Sequence, residues 1–573
     1  MEKRAIIAII LTFLLILLWG VIQSKYFTPK PSKEIEEKQV VPPKEKIGLK
    51  EVKPLPSKEE KIPLKKALPQ KEVSVETQNY LAILTSDEAA LKHFKLKKYE
   101  DRVQPSPITI KLSRFVRGLL GKKEVEEEKK PKPLDLVNTG GEDGFPLKST
   151  IYPSDSTGGW EVEENQLRLV NSGEKGEITF IKDLGNGLKI FKRYGFTAEN
   201  NILDLEVEVQ NHSSKEVGFQ LGIDWIGRVE LEKLADDENK DYGLKYVFMK
   251  DQKMEKKTFG SSGSSGCTPG CGTPKRKIEP FDISSQGDIR WYAFEGEYFA
   301  ALLVSPPSEK NATLTVQGDA KNLVKANLTT SLISLPPAQG IKIPYRVYIG
   351  PKDAKSLKIL DVSADKLVDL GFFAIIAKPL LWFLNLTNSF TNNYGIDIII
   401  ISILIKIIFL PLTQISMKSM KEMQKVQPEM TRLKEQYKND KARLQQEIML
   451  LYKRRKINPM SGCLPMLIQI PVFFALYNAL QTAIEMRHAP FLLWIRDLSA
   501  KDPLYISPLI MGASMVLQQK MTPTAADPSQ AKMFMLMPIM FTFLFLNFPS
   551  GLVLYWLVNN VLSIAHQYYL NKK

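Results

Sequence analysis

Cysteine and histidine are scarce in this 573-residue chain, which contains three cysteines and four histidines. Three cysteines cannot form a disulfide framework, and the histidines lie too far apart in the sequence to indicate a histidine-based metal site. Acidic residues are too few to balance the basic ones, so the net charge is +15. The composition excludes a collagen, a disulfide-rich miniprotein and a wholly disordered chain, and nothing in it predicts a cofactor.

Apolar residues are concentrated near the N-terminus and after residue 370, with a long polar stretch between them. At the N-terminus, eighteen uncharged residues (5–22) follow a basic start. They would form about 27 Å of helix, enough to cross a bilayer. A cleavable signal peptide is the alternative, but its shorter apolar core would end at a small-residue cleavage site that is lacking here. We predict an uncleaved anchor over residues 1–23, with the N-terminus in the cytoplasm, and a disordered exported tether over residues 24–72.

Short runs of alternating apolar and polar residues, punctuated by turn residues, fill residues 73–365, and Ile202–Val209 is a clear example. A period of two predicts strands with one buried and one wet face, so we expect an exported β-sandwich domain. Gly260–Pro274 is low-complexity sequence that predicts a flexible linker. Cys267 and Cys271 lie in this linker, where their spacing permits a local disulfide and is weak support for a metal site.

The charge of the loops predicts the topology of the apolar blocks after residue 369. Residues 417–459 contain twelve basic and five acidic residues, and such a segment stays in the cytoplasm. The block at 366–390 is therefore expected to lie in the outer interface as an amphipathic helix rather than to cross the bilayer. With the anchor, this gives six spans and two cytoplasmic termini. The remaining predicted segments are a second span at 391–416, a third at 460–482, an exported loop at 483–503, a fourth span at 504–520, a cytoplasmic loop at 521–531, a fifth span at 532–548 and a sixth at 551–570.

The basic segment 417–459 has apolar residues at helical spacing, beginning Met417, Met420 and Met423, and a turn near residue 439. This pattern predicts a cytoplasmic helical hairpin. The hairpin is either a solvated charged element without a partner or a docking surface for anionic lipids, a ribosome or a nascent chain.

Lys406 lies in the middle of the second predicted span, with about 15 Å of helix on either side. A lysine at the centre of a bilayer costs roughly 2.5–3.5 kcal/mol, and this cost falls if the side chain faces water inside the helix bundle. The other predicted spans offer no acidic residue at the same depth. We therefore predict a hydrated cavity whose counter-ion comes from another molecule; deep snorkelling of the lysine is the alternative.

Other polar or aromatic side chains are candidates to line this cavity, although each alone is more often a helix-packing residue than a site residue. They include Ser402, Gln469, Gln518 and Trp556.

Several segments of the C-terminal part carry a family resemblance. They are IIIISILIKIIFLPLTQISMKSMKEMQKVQPEM, NPMSGCLPMLIQIPVFFALYNAL, APFLLWIRDLSAKDP, IMGASMVLQQKMTP and FPSGLVLYWLVNN. In this order, across roughly residues 366–570, they closely resemble the YidC/Oxa/Alb family of membrane protein insertases. The N-terminal anchor and the large exported domain resemble the Gram-negative form of the family.

The resemblance implies a β-supersandwich fold for the periplasmic domain and a five-span helical core with an intramembrane groove. The groove would hold one positive charge, and Lys406 occupies the place that is usually arginine. Ser402 matches a small polar position of the groove, and Trp556 matches an aromatic one. Ile470 and Pro471 match the client-contacting face of the third span.

From the residues and the resemblance together we expect a non-enzymatic insertase and chaperone of the bacterial inner membrane. It would act on nascent membrane proteins, alone or with the Sec translocon and its accessory subunits. One alternative is a secondary transporter for an anionic solute, which predicts inverted repeats that the sequence does not show. A second is a structural envelope protein whose exported domain binds a partner.

Overall fold

The computed structural model describes residues 70–119, 130–153, 159–185, 187–229, 245–258, 278, 280–455, 464–521 and 528–572. The chain divides into two units, one of residues 1–66 with 524–537 and the other of residues 67–523 with 538–573. The predicted anchor (1–23), nearly all of the predicted tether and the linker with Cys267 and Cys271 lie outside the described residues. All described residues belong to the second unit, apart from residues 528–537, which begin the helix Pro528–Phe545.

Residues 72–351 form the expected mainly β domain, and its strands are β1 to β20 in chain order. They are Glu72–Glu76, Tyr80–Thr85, Ala90–Glu100, Pro133–Asp135, Ser149–Tyr152, Glu161–Val162, Gln166–Arg168, Lys175–Asp183, Leu188–Thr197, Ile202–Asn211, Val217–Arg228, Lys245–Lys250, Lys253–Thr258, Phe281–Gly287, Ile289–Glu295, Phe299–Val304, Ala312–Gly318, Leu323–Thr329, Ile333–Leu335 and Gly340–Pro351. A helix, α1 (Pro107–Leu119), interrupts them, and α2 (Ala354–Lys358) follows.

The strands form three sheets. The orders are β4-β3-β2-β1-β7, β13-β12-β15-β16-β20-β10-β9-β8-β6 and β14-β17-β18-β11-β19, with β5 also paired to β11. The pairings are antiparallel apart from β1 with β7. Buried and half-buried residues alternate along β9 from Leu188 to Thr197, as the period of two predicts. One hydrophobic core takes side chains from all three sheets.

The inward face of β9 includes a lysine. Lys192 is wholly buried between Ile190 and Tyr194, and its Nζ donates a hydrogen bond to the carbonyl of Leu147. The amine lies 5.9 Å from the ring centroid of Trp160 and 5.4 Å from that of Tyr194. Burial lowers the pKa of Lys192 to about 7.

The C-terminal part is helical. Its helices are α3 (Ala374–Thr391), α4 (Tyr394–Ile408), α5 (Leu410–Lys425), α6 (Gln427–Gln436), α7 (Lys441–Arg454), α8 (Leu464–Thr482), α9 (Ile506–Met521), α10 (Pro528–Phe545) and α11 (Ser550–Lys572). In the segment predicted as a hairpin, Val426, between α5 and α6, packs with Leu451 of α7. Tyr452 of α7 donates to the sulfur of Met430 of α6 at 3.2 Å.

The second predicted span is broken. The span predicted over residues 391–416 contains parts of two helices: α4 ends at Ile408, and α5 continues at an angle of 60°. Pro411 lies in the first turn of α5, where a proline is tolerated but cannot continue a preceding helix. Within the described residues, no helix taken singly has both the length and the hydropathy of a membrane span, whereas α4 and α5 together have both.

The β domain meets the helical part just after α8. Ile484 packs into the hydrophobic core of the β domain. Arg487 is only 8% exposed; it donates to the carbonyl of Glu100 at 2.7 Å, and its guanidinium lies 5.2 Å from the ring centroid of Phe299. Burial and the charge of Arg487 lower the pKa of His488 to about 3, so this imidazole is neutral.

Candidate functional site

The start of α4 is fixed by its own side-chain hydrogen bonds. Asn393 caps the helix by accepting from the backbone N–H groups of Gly395 and Ile396 at 2.9 and 3.3 Å. Asp397 is wholly buried and accepts from Asn388 at 2.9 Å and from Thr391 at 2.7 Å. Because its carboxylate is held at the end of α3, Asp397 has a structural role about 13 Å along the helix from Lys406.

Two faces of α4 differ in exposure, and Lys406 lies at their boundary. Ile398, Ile401 and Ile405 are buried in the helical core. The opposite face is exposed and apolar; it consists of Ile403, Leu404, Ile407 and Ile408. Lys406, between these two faces, is half-buried.

The partner of Lys406 is a hydroxyl group on α11. Lys406 Nζ donates to Ser563 Oγ at 2.6 Å, and Ser563 Oγ donates in turn to the carbonyl of Asn559 at 2.7 Å. In the part of the chain that the structure describes, Lys406 forms no ion pair with a carboxylate. A neutral hydroxyl leaves the charge of the ammonium uncompensated, so the amine remains able to bind an anion.

Ser563 belongs to a polar stripe on α11, which we define as Asn559, Ser563 and His566. Their spacing of four and then three residues places them on one helical face. His566 is close enough to Lys406 for their charges to interact. Asn559 Oδ1 and His566 Nδ1 are buried and have no hydrogen-bond partner among the described residues. Buried polar atoms without a partner in the protein normally form a hydrogen bond to a water molecule or a ligand.

The sequence analysis did not identify the polar stripe. The sequence contains a pattern that could have predicted it: polar residues recur on one face of an apolar helix, near the C-terminal end of the sixth predicted span. Asn560, next to the stripe, donates to Ser514 Oγ at 3.0 Å and so ties α11 to α9.

Ser402 and Trp556 occupy different environments from Lys406. Ser402 is wholly buried, and its hydroxyl donates to the carbonyl of Ile398 at 2.6 Å, so it bonds to its own helix. Trp556 is half-buried, and its ring centroid lies 5.4 Å from that of Phe473 and 5.2 Å from that of Phe545. Trp556 therefore forms an aromatic wall two turns before Ser563 on α11.

The remaining candidates lie on neighbouring helices. Gln469, Ile470 and Pro471 are half-buried in α8, and Gln518 is half-buried in α9. Beyond them, the second half of α10 exposes a row of large apolar side chains: Ile539, Met540, Phe543 and Leu544. Among the residues singled out from the sequence, Lys406 hydrogen-bonds to the polar stripe through Ser563.

Two family models match the chain. The model described as "YidC periplasmic domain" matches residues 72–383, and the model described as "60Kd inner membrane protein" matches residues 386–573. The boundary between them falls within α3, close to the point where strands give way to helices.

Relatives match along the whole length. A membrane protein insertase YidC of Syntrophus aciditrophicus is 39% identical over 586 residues, covering 100% of both chains. A membrane protein insertase YidC of Geotalea daltonii is 37% identical over 579 residues, covering 100% of this chain and 99% of its own. A crystal structure of an active YidC insertase with its first transmembrane domain resolved is 18% identical, with a TM-score of 0.36, over 87% of this chain and 92% of that one.

Proposed function

The chain belongs to the YidC family of membrane protein insertases, and from this premise we propose that it inserts proteins into the bacterial inner membrane and helps them to fold. It performs no covalent chemistry. Its clients are nascent membrane proteins, which it receives alone or together with the Sec translocon and its accessory subunits.

The observation that carries the mechanism is the hydrogen bond between Lys406 and the neutral Ser563. A client carboxylate that reaches Lys406 replaces a hydrogen bond to a neutral hydroxyl with one in which donor and acceptor are both charged, which is the stronger of the two. The acidic or polar exported segment of a client is thereby held part of the way across the bilayer. The unpartnered atoms of Asn559 and His566 accept hydrogen bonds from the client's backbone or from the water that accompanies it.

The apolar helix of the client supplies the driving force. It leaves the groove along α8, past Ile470 and Pro471, and along the exposed apolar row of α10 into lipid. Burial of apolar surface contributes about 25 cal/mol per Å², so a whole membrane helix outweighs the cost of moving a short polar tail. The membrane potential adds roughly 2.3 kcal/mol per 100 mV for each negative charge that is exported.

The proposal also assigns each part of the chain to one side of the membrane. Both termini and the helical hairpin of residues 417–459 face the cytoplasm, and the β domain faces the periplasm. The hairpin meets a ribosome or anionic lipids through its excess of basic residues.

The test is insertion of a single-span client by the full chain in proteoliposomes. With an acidic exported tail on the client, Lys406→Arg should retain insertion, because the charge is preserved, and Lys406→Glu should lose it. Lys378→Glu, an exposed lysine of α3, is the matched control and should insert normally.

Site-specific photocrosslinkers at positions 406 and 471 locate the client during insertion. We expect both to react with a ribosome-stalled client whose membrane helix has just emerged. Normal insertion by Lys406→Ala for every client tested would refute the electrostatic role of this lysine.

A further inference from the structure

Helix α1 lies in an excursion of the chain between β3 and β4, and nothing in the proposed function uses it. The two ends of the excursion are tied together at its base. The backbone N–H of Asp101 donates to the carbonyl of Lys132 at 2.8 Å, and the backbone N–H of Lys132 donates to Asp101 Oδ1 at 2.9 Å. The excursion that carries α1 is therefore attached to the β domain at a fixed place.

The start of α1 is defined by its own residues. Ser106 is buried, and its Oγ accepts from the backbone N–H of Thr109 at 3.1 Å, which caps the first turn. Pro107 follows at the first helical position, where an N–H group would have no partner within the helix. The thirteen residues of α1 give a helix of about 20 Å.

The sequence of α1 is amphipathic. Five apolar residues fall on one helical face by their spacing. They occupy positions 108, 112, 115, 116 and 119. Lys111, Arg114 and Arg117 fall outside this face, and the helix contains no acidic residue. Such a distribution of apolar and basic residues is typical of a helix that lies on the surface of a membrane.

The described side chains of α1 leave both faces open. Ile108 is 44% exposed, and neither Ile108 nor Leu112 belongs to a hydrophobic cluster of the β domain or of the helical part. Lys111 and Arg114 are exposed and form no salt bridge with any other described residue. An apolar face beside unpaired basic residues fits a surface that is itself apolar and negatively charged.

The attachment of the excursion places α1 near the level of the membrane surface. Glu100, seven residues before Pro107, accepts from Arg487 in the segment that follows α8. In the same segment, Glu485 accepts from Asn385 of α3, the helix expected in the outer interface, at 3.4 Å. This helix exposes large apolar side chains, namely Ile375, Trp382 and Phe390. Because seven residues span at most about 25 Å, α1 begins within that distance of the contact with Arg487.

We propose that α1 lies on the outer leaflet of the inner membrane and binds anionic phospholipid headgroups. Lys111 and Arg114 lie among the phosphates, and the face with Ile108 and Leu112 enters the boundary between headgroups and acyl chains. The choice of leaflet rests on the topology of the proposed function, whereas the binding itself needs no client. This contact holds the β domain to the membrane at a place separate from Arg487.

The test is fluorescence quenching on the full chain in lipid nanodiscs. An environment-sensitive dye is attached to Ile108→Cys after the three native cysteines have been replaced by serine, and nitroxide-labelled lipid is the quencher. We expect the ratio of membrane-bound to free α1 to be about tenfold higher or more with phosphatidylglycerol than with phosphatidylcholine alone.

A dye at a distant position of the β domain is the control. Leu332 is 72% exposed and precedes β19, which pairs with the start of β11. The end of β11, at Arg228, instead lines a cleft together with Phe299, which contacts Arg487. A dye on Leu332→Cys should therefore not be quenched by the labelled lipid.

Charge reversal tests the choice of an anionic lipid. Lys111→Glu combined with Arg114→Glu should lower the ratio of bound to free α1 by about tenfold or more, because two attractive charges become repulsive. Lys175→Glu combined with Lys215→Glu makes the same change in net charge on exposed lysines elsewhere and should have no effect. Thermal unfolding of each variant verifies the fold.

Three results would overturn the proposal: no quenching at position 108 with phosphatidylglycerol, equal quenching without it, or an unchanged ratio after reversal of Lys111 and Arg114. A dye at position 108 that is shielded from water but not quenched in either lipid would show that α1 docks on protein, and would overturn it as well. Loss of client insertion by a chain that is quenched normally would count against the proposed function alone.

Discussion

Two lysines, one in each region of the molecule, are buried in opposite ways. Lys192 in the β domain is wholly buried, donates to a backbone carbonyl and lies near two aromatic rings. Lys406 in the helical part is half-buried and donates to a serine hydroxyl beside further unpartnered polar atoms. In the β domain, a backbone carbonyl accepts the hydrogen bond of the buried lysine. In the helical part, the lysine is bonded to a hydroxyl group, and polar atoms near it have no partner among the described residues.

We interpret Lys192 as a structural residue of the β domain and Lys406 as a residue of the candidate site. Carboxylates lie close enough to Lys192 to interact with its charge, namely Asp224 and Glu88. No described carboxylate pairs with Lys406. Burial nevertheless lowers the pKa of Lys192 to about 7, so the fold can hold this amine without an external anion. An ammonium in the membrane-spanning part that is bonded to a neutral group has unused affinity for an anion.

Replacing each lysine by methionine tests this distinction most directly. We expect Lys406→Met to reduce insertion of an acidic-tailed client by about tenfold or more, since one charge-assisted contact is worth about 1.5–3 kcal/mol. Lys192→Met should leave insertion in proteoliposomes unchanged. Equal losses of insertion in the two variants would mean that the lysines do not differ in role.

The second largest effect is expected in the pH dependence of stability, to which Lys192 should contribute. Burial lowers the pKa of Lys192 to about 7, whereas an unfolded lysine titrates near 10.4. Between these values the unfolded chain binds more protons, so the contribution of Lys192 to stability rises from pH 7 to pH 10 and is constant below pH 7.

The measurement is the melting temperature of the β domain in nanodiscs, by tryptophan fluorescence. The wild-type protein should gain about 5 °C relative to Lys192→Met between pH 7 and pH 10. Lys378→Met controls for the loss of a surface lysine. Parallel curves for wild type and Lys192→Met would show that this amine is charged in the fold.

The smallest effect is expected from Ser563→Ala. Removing the hydroxyl takes away the neutral competitor for Lys406, and an acidic-tailed client should crosslink about two- to threefold more strongly to a photocrosslinker at position 471, which leaves Lys406 in place. Ser514→Ala, which affects a hydrogen bond between α9 and α11 away from Lys406, is the matched control. Weaker crosslinking in Ser563→Ala would show instead that the serine positions the amine.

The sequence predicted the local features of this protein better than the contacts between distant segments. The alternation in β9 is visible in Leu188, Ile190, Tyr194 and Phe196, and it also places Lys192 on the inward face. The parallel pairing of β1 with β7 could not be predicted, because it joins segments about 90 residues apart through core packing.

Lys406 was predictable because a charge within an apolar run is conspicuous. Ser563 was not, because a lone serine in an apolar helix normally bonds to its own backbone, as Ser402 does. A bend near Phe409 is predictable from Pro411, because proline kinks or breaks a helix, but the form of the bend is not. Pro411 can be accommodated within one kinked helix or between two helices, and only the packing of α4 and α5 decides between them.

The contact made by Arg487 has a practical consequence for dissecting the protein by truncation. Deleting the β domain would strip Glu100 and Phe299 from the guanidinium and expose Ile484. Ile484 and Arg487 follow shortly after α8, the helix that contains Ile470 and Pro471. A shortened chain would therefore expose an apolar side chain and a guanidinium without partners next to the proposed exit path of the client. Its defects should be attributed to the missing strands only after Ile484 and Arg487 have been replaced by small polar residues.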